Sequence, residues 1–183
     1  MVVVFGSSLL QWHTDVALEF DRFAILSHAE YYRLFSAHFV HLNWNHTLLN
    51  VSGILVGWWA FGHELSVSQW TSAIFISAFV VSSGLLLATD VEWYYGFSGL
   101  LHGLLVLALI STKRLSFQAK ILCLSALTAK LILEAATDST SMTETLIENK
   151  VVVEAHLFGV AAGVVIWLIS YTLRKLGQSG CNN

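Results

Sequence analysis

Five long apolar runs, none interrupted by proline, constrain this chain more than anything else in it. They read Leu42–Phe61, Trp70–Thr89, Phe97–Thr112, Gln118–Ala136 and Val151–Leu173. Each is long enough, or nearly so, to cross a bilayer as a helix. With no proline in the chain, each helix can run unbroken. Only 11% of the residues are charged and 56% are hydrophobic. A soluble domain carries roughly 25% charged residues. Such a chain cannot cover its apolar surface with polar groups, so the expected class is an all-α membrane protein in a bilayer. The net charge of −3 gives no electrostatic footprint for nucleic acid. Cys123 lies inside an apolar run and reads as a packing thiol, while Cys181 lies in the polar tail, so no disulfide between them is expected.

The 183 residues form one expected transmembrane domain, with no repeat and no low-complexity linker. Residues 1–12 are apolar but short. The stretch Val2–Trp12 reaches roughly 16 Å, about half the hydrocarbon core. It reads as the end of a first transmembrane helix that is truncated here, or else as a short interfacial segment. Residues 13–41 mix charges with Phe20, Phe23, Ile25, Leu26, Tyr31, Tyr32 and Phe35, the pattern of a membrane-associated loop. Residues 42–173 form the five-helix core and 174–183 a tail.

Lysine and arginine orient the chain. Lys113, Arg114, Lys120, Arg174 and Lys175 fall on one face when the spans alternate, which makes that face and the C-terminus cytoplasmic. The other face carries Arg22, Arg33 and Lys150 among many acids. Ser98, at the start of the Phe97 helix, then lies on the outer side. That run spans roughly 24 Å against a core of roughly 30 Å, so Ser98 is submerged.

Three polar clusters interrupt the apolar runs. Gly96 and Gly99 flank Ser98, and Gly99 with Gly103 forms a small-residue face for close helix approach. His156, Gly159 and Gly163 form one stripe of the last helix. Where the two glycine stripes meet, His156 comes within reach of Ser98. A serine hydroxyl becomes a competent nucleophile when a positioned base takes its proton. A dyad suffices in principle, because the carboxylate of a triad orients the base and does not react. His46 and Asn50 stand one turn apart on a third helix, placed to donate to an oxyanion together with the Ser98 N–H. Packing of helices by glycine, and stapling by Asn50, are the plainer readings of each cluster taken alone.

Together the clusters resemble the rhomboid intramembrane serine proteases. Gly96-Phe97-Ser98-Gly99 matches the family's GxSG motif, His46 and Asn50 its HxxxN, and Ala155-His156 with Gly159 and Gly163 its AHxxGxxxG helix. Arg33 and His41 fall at recurrent positions of its first loop. The resemblance covers Glu30 to Leu173 and implies a six-helix bundle. It also implies Ser98 and His156 as catalytic residues, His46 and Asn50 at the oxyanion, and no metal or organic cofactor. The implied location is a bacterial inner membrane, and the implied partner a membrane-anchored protein substrate. Many rhomboids carry a tyrosine four residues after the serine, whereas this chain has His102. The resulting GxSGxxHG is similar to the rhombosortase branch, whose substrates end in a Gly-Gly motif, a membrane helix and a basic tail. His102 is expected to stack on His156 or bond to it. Lys130 and Glu134, one turn apart inside an apolar run, read as a structural ion pair or as a substrate-related element. Glu154, two residues before His156, points to a different helix face and is not expected to serve as a third triad member.

Two other classes stand beside the protease. A catalytically silent relative that only binds membrane helices typically lacks the serine or the histidine, and this chain keeps both. A metal or haem protein is suggested by the eight histidines, but His63-Glu64 is followed by Leu65, Ser66 and Val67, so there is no HExxH.

Overall fold

The computed structural model describes residues 17–136 and 142–180. The expected partial first helix over 1–12 lies outside the described residues, as do Cys181 and Asp138. In chain order the elements are β1 (Phe20–Asp21), α1 (Arg22–His28), α2 (Arg33–Ser36), a 3-10 turn (Ala37–Phe39), α3 (Trp44–Phe61), α4 (Val67–Ala88), β2 (Trp93–Tyr94), α5 (Ser98–Ser111), α6 (Phe117–Ala136), α7 (Met142–Ile147) and α8 (Val153–Gly180).

Local chemistry sets the helix ends. Asp21 accepts from the Ala24 N–H and starts α1, and Asn43 accepts from the His46 N–H and starts α3. Ser66 and Gln69 cap α4 reciprocally. The last helix does not stop at Leu173 as expected but runs through Arg174 and Lys175 to Gly180. No proline lies in that stretch, so nothing forces the helix to end at Leu173.

Helices α4 and α8 are each long and apolar enough to cross a membrane, and α5 is a shorter apolar helix. Much of the apolar surface of α4 and α8 faces outward: Phe79, Leu87 and Leu168 are all exposed. Outward-facing apolar side chains cost nothing when the surroundings are hydrocarbon. Cys123 is exposed too, so the expected packing thiol is instead on the outer surface of α6.

The centre of the molecule is the contact of α5 with α8. An added Cβ on Gly159 would collide with the Gly99 carbonyl oxygen, and one on Gly163 with that of Gly103. The two backbones therefore touch, which only glycine permits. Phe158 packs its ring onto Gly84 of α4 in the same way.

The segment before α3 is not a plain loop. β1 pairs antiparallel with β2, matching Phe20 to Tyr94 and Asp21 to Trp93. The Arg22 guanidinium donates to the carbonyls of Leu85 and Leu86, at 3.1 and 2.8 Å, closing the C-terminal end of α4. Arg33 is buried, donating to Glu30 at 2.6 Å and to the Glu19 carbonyl at 2.9 Å. His38 is fully buried, its Nε2 2.9 Å from Ser82 Oγ on α4, and the Ser82 hydroxyl donates in turn to the Leu34 carbonyl. This segment is thereby fastened to the helix bundle by its side chains as well as its backbone.

Candidate active site

A sharp turn delivers Ser98 to the first position of α5. Gly96 has φ +107°, a conformation that disfavours any side chain. A Cβ there would also lie 2.7 Å from His46 Nε2. The Gly96 N–H donates to the Ala37 carbonyl at 2.9 Å, and the Tyr94 hydroxyl donates to the Gly96 carbonyl at 2.6 Å. Two longer contacts finish the turn: Phe97 N–H to His41 Nε2 and Gly99 N–H to the Tyr94 oxygen, both at 3.4 Å. Because Ser98 opens the helix, its N–H has no carbonyl one turn back.

From α8, His156 meets it. Ser98 Oγ lies 3.0 Å from His156 Nε2. The other ring nitrogen, Nδ1, lies 3.3 Å from Glu134 Oε2 on α6. His102 stacks on His156 with ring centroids 4.1 Å apart and planes 18° from parallel. Its Nδ1 lies 2.8 Å from the Ser98 carbonyl, which can only accept, so Nδ1 carries the hydrogen. Lys130 then donates to His102 Nε2 at 3.3 Å and to Glu134 Oε1 at 2.7 Å.

These groups line one cavity of about 840 Å³ together with His46, Asn50, Tyr95 and Asn149. His46 and Asn50 reach it from the first turns of α3, and Asn50 donates to the His46 carbonyl at 3.0 Å. The start of α3 is held by Asn43 and Asn45, which donate to the carbonyls of Ile147 and Leu146 on α7, at 2.7 and 3.0 Å. His41 packs edge-on to His46 with centroids 4.8 Å apart. Among the described residues no group of three or more His, Cys, Asp or Glu is placed to hold a metal ion.

The structure thus gathers Ser98, His156, His46, Asn50, His102, Lys130 and Glu134 at one end of the bundle. Gly96, Gly99, Gly159 and Gly163 serve close approach around them. Arg33 stands apart, in the segment before α3. Glu154 is exposed on α8. Sequence spacing alone did not point to Tyr94, which bonds both sides of the Ser98 turn, nor to the contact of Glu134 with His156. The second had one available signal: Glu134 falls in the last turn of α6, the end that alternation brings beside the first turn of α8.

Against known families, the rhomboid domain model matches residues 28–173. The chain belongs to the rhomboid family. Rhomboids are in general intramembrane serine proteases that act on membrane proteins within the bilayer, and the match spans every helix that contributes to this cavity except the Val153 helix's last turns. No curated protein and no solved structure matches the chain.

Proposed function

We propose that this rhomboid is an active serine endopeptidase that cuts a peptide bond just inside the outer edge of a bacterial inner membrane. The observation that carries the reading is the 3.0 Å approach of Ser98 Oγ to His156 Nε2 at the wall of a large cavity. That distance lets the imidazole take the hydroxyl proton as the oxygen attacks. Attack forms a C–O bond and pushes the carbonyl π pair onto oxygen. In this reading the Ser98 N–H, His46 and Asn50 stabilise that charge. His156 then protonates the leaving amine, and water entering by the cavity hydrolyses the acyl-enzyme. Glycine at Gly99, Gly103, Gly159 and Gly163 supports the reading, since any larger residue would part the helices that carry the two groups.

The substrate class we infer is a membrane-anchored protein with a C-terminal Gly-Gly motif, membrane helix and basic tail. His102 in the GxSGxxHG pattern supports it, and its ring stacks on the general base. The basic residues between α5 and α6 and near the end of α8 support a cytoplasmic C-terminus.

The test is co-expression with a Gly-Gly-tailed membrane substrate. Wild type should cleave it, and Ser98→Ala and His156→Ala should insert in the membrane without cleaving. A fluorophosphonate probe should label wild type and not Ser98→Ala. Labelling that fails in wild type while client helices are still captured would favour a silent helix-binding relative.

A further inference from the structure

We propose that Glu134 is the third member of a Ser98–His156–Glu134 triad, held in place by Lys130 and His102. The inference rests on the protease reading of Ser98 and His156.

Three independent contacts converge on it. First, Glu134 Oε2 lies 3.3 Å from His156 Nδ1, the nitrogen opposite the one that faces Ser98. A carboxylate there keeps the hydrogen on Nδ1 and leaves Nε2 free to accept, the arrangement a histidine base requires. Second, the carboxylate is itself fixed. Its Oε1 accepts from Lys130 at 2.7 Å, and Lys130 also donates to His102 Nε2 at 3.3 Å. Third, His102 donates from Nδ1 to the Ser98 carbonyl at 2.8 Å and stacks on His156. The hydrogen bonds thus form a closed circuit through α5, α6 and α8 that begins at the Ser98 hydroxyl and returns to the Ser98 carbonyl. A lysine–glutamate pair serving packing alone would need neither histidine. Glu134 has 11% of its side chain exposed, so its charge acts on His156 with less screening than at an open surface.

In the chemical step Glu134 exchanges no electrons. The Ser98 Oγ–H proton moves to His156 Nε2 as Oγ bonds to the carbonyl carbon. The ring becomes positive, and the adjacent negative carboxylate offsets that charge while its Nδ1–H bond stops the ring from turning. When the C–N bond breaks, the same proton passes to the leaving amine. Glu134 is therefore a positioning residue: it acts on the substrate only through His156.

The experiment compares Glu134→Gln, Lys130→Met, Ser98→Ala and His156→Ala in full-length protein reconstituted in vesicles. Glu134→Gln keeps the shape and can still accept from Lys130, but removes the charge. Its kcat should fall at least ~10²-fold with KM within threefold. Fluorophosphonate labelling of Ser98 should slow in parallel, and the unfolding midpoint should stay within a few degrees. Lys130→Met should cost no more than ~10-fold, since it loosens the carboxylate without removing it. In a His156→Ala background, Glu134→Gln should cost nothing further. One readout needs no variant: nitrogen-15 NMR of histidine-labelled wild type should find His156 protonated at Nδ1. A Glu134→Gln enzyme within threefold of wild-type kcat, or a His156 ring protonated at Nε2 alone, would overturn the triad. In either case a dead Ser98→Ala would leave the protease reading standing. Cleavage that persists in Ser98→Ala would instead overturn that reading itself.

Discussion

Replacing Gly103 by alanine measures how closely activity depends on the glycine seam. A Cβ added there lies 2.5 Å from the Gly159 carbonyl oxygen, 3.2 Å from its carbon and 3.3 Å from Ser77 Oγ. A close carbon–oxygen contact needs about 3.3 Å. The obstacle is backbone, which cannot swing aside as a side chain would, so α5 and α8 must part by about 0.8 Å. Ser98 and His156 ride on those two helices 3.0 Å apart. Separation as rigid bodies opens their contact to about 3.8 Å, beyond the limit for a hydrogen bond. Misplacement by ~1 Å can cost ~10²-fold in rate. Overpacking costs about 1–3 kcal/mol, partly offset by the ~0.5–1 kcal/mol that alanine gains over glycine within a helix. The expected result is a variant that folds, with kcat/KM down ~10²-fold and a modestly lower unfolding midpoint. Gly57→Ala is the matched control, because nothing lies within 4 Å of its Cβ position. It should keep full activity. Both are read by initial cleavage rates and fluorophosphonate labelling in vesicles. A Gly103→Ala enzyme retaining more than a third of wild-type kcat/KM would refute the claim that contact of the two helix backbones sets the nucleophile–base distance.

Three further outcomes follow from the geometry. Tyr94→Phe removes the donor to the Gly96 carbonyl and the acceptor for the Gly99 N–H; it should destabilise by about 1–3 kcal/mol in a denaturant titration and lower kcat more than KM. Asn43→Ala removes the cap of α3 and its tie to Ile147; a loss of about 1–2 kcal/mol is expected, with a smaller effect on activity than Tyr94→Phe. Stability should also depend on acid. Burial pushes His38 down to about 4 and His41 to about 3, below the ordinary 6.5. Both stay neutral in the folded protein while the unfolded chain takes up protons, so their contribution is complete above pH ~6.5 and is lost as pH falls toward 4. The unfolding midpoint should be flat from pH 7 to 8 and drop steadily below pH ~6, and His38→Gln should shallow that slope.

How much of this could be read from residues alone depends on the length of the signal. The five apolar runs return as helices with ends moved by at most three residues, except at the end of α8, whose polar last turns look like a tail yet continue the helix. Small-residue spacing at Gly99, Gly103, Gly159 and Gly163 was enough to suggest which helices touch, because a stripe of glycines has few other uses in lipid. Of the partners of Lys130, Glu134 was readable and His102 was not. Spacing shows that it shares a face with Glu134, but the rotation of α6 about its axis depends on packing and leaves no local trace. The same holds for Tyr94, which sits in a two-residue strand with no periodicity to read, and for His38, whose partner Ser82 is forty-four residues away. The segment from Phe20 to Phe39 mixes aromatic and charged residues without a period, so its short helices and its pairing with Trp93–Tyr94 came from contacts and not from pattern.

The brevity of α5 works as a depth gauge. Its 14 residues measure roughly 21 Å, whereas the hydrocarbon layer is roughly 30 Å thick. With the far end at Thr112 seated at one boundary, the serine comes to rest some 9 Å beneath the other. Residue count along one helix would then select which bond of a passing polypeptide meets the hydroxyl, and inserting a single turn would raise that plane by about 5.4 Å.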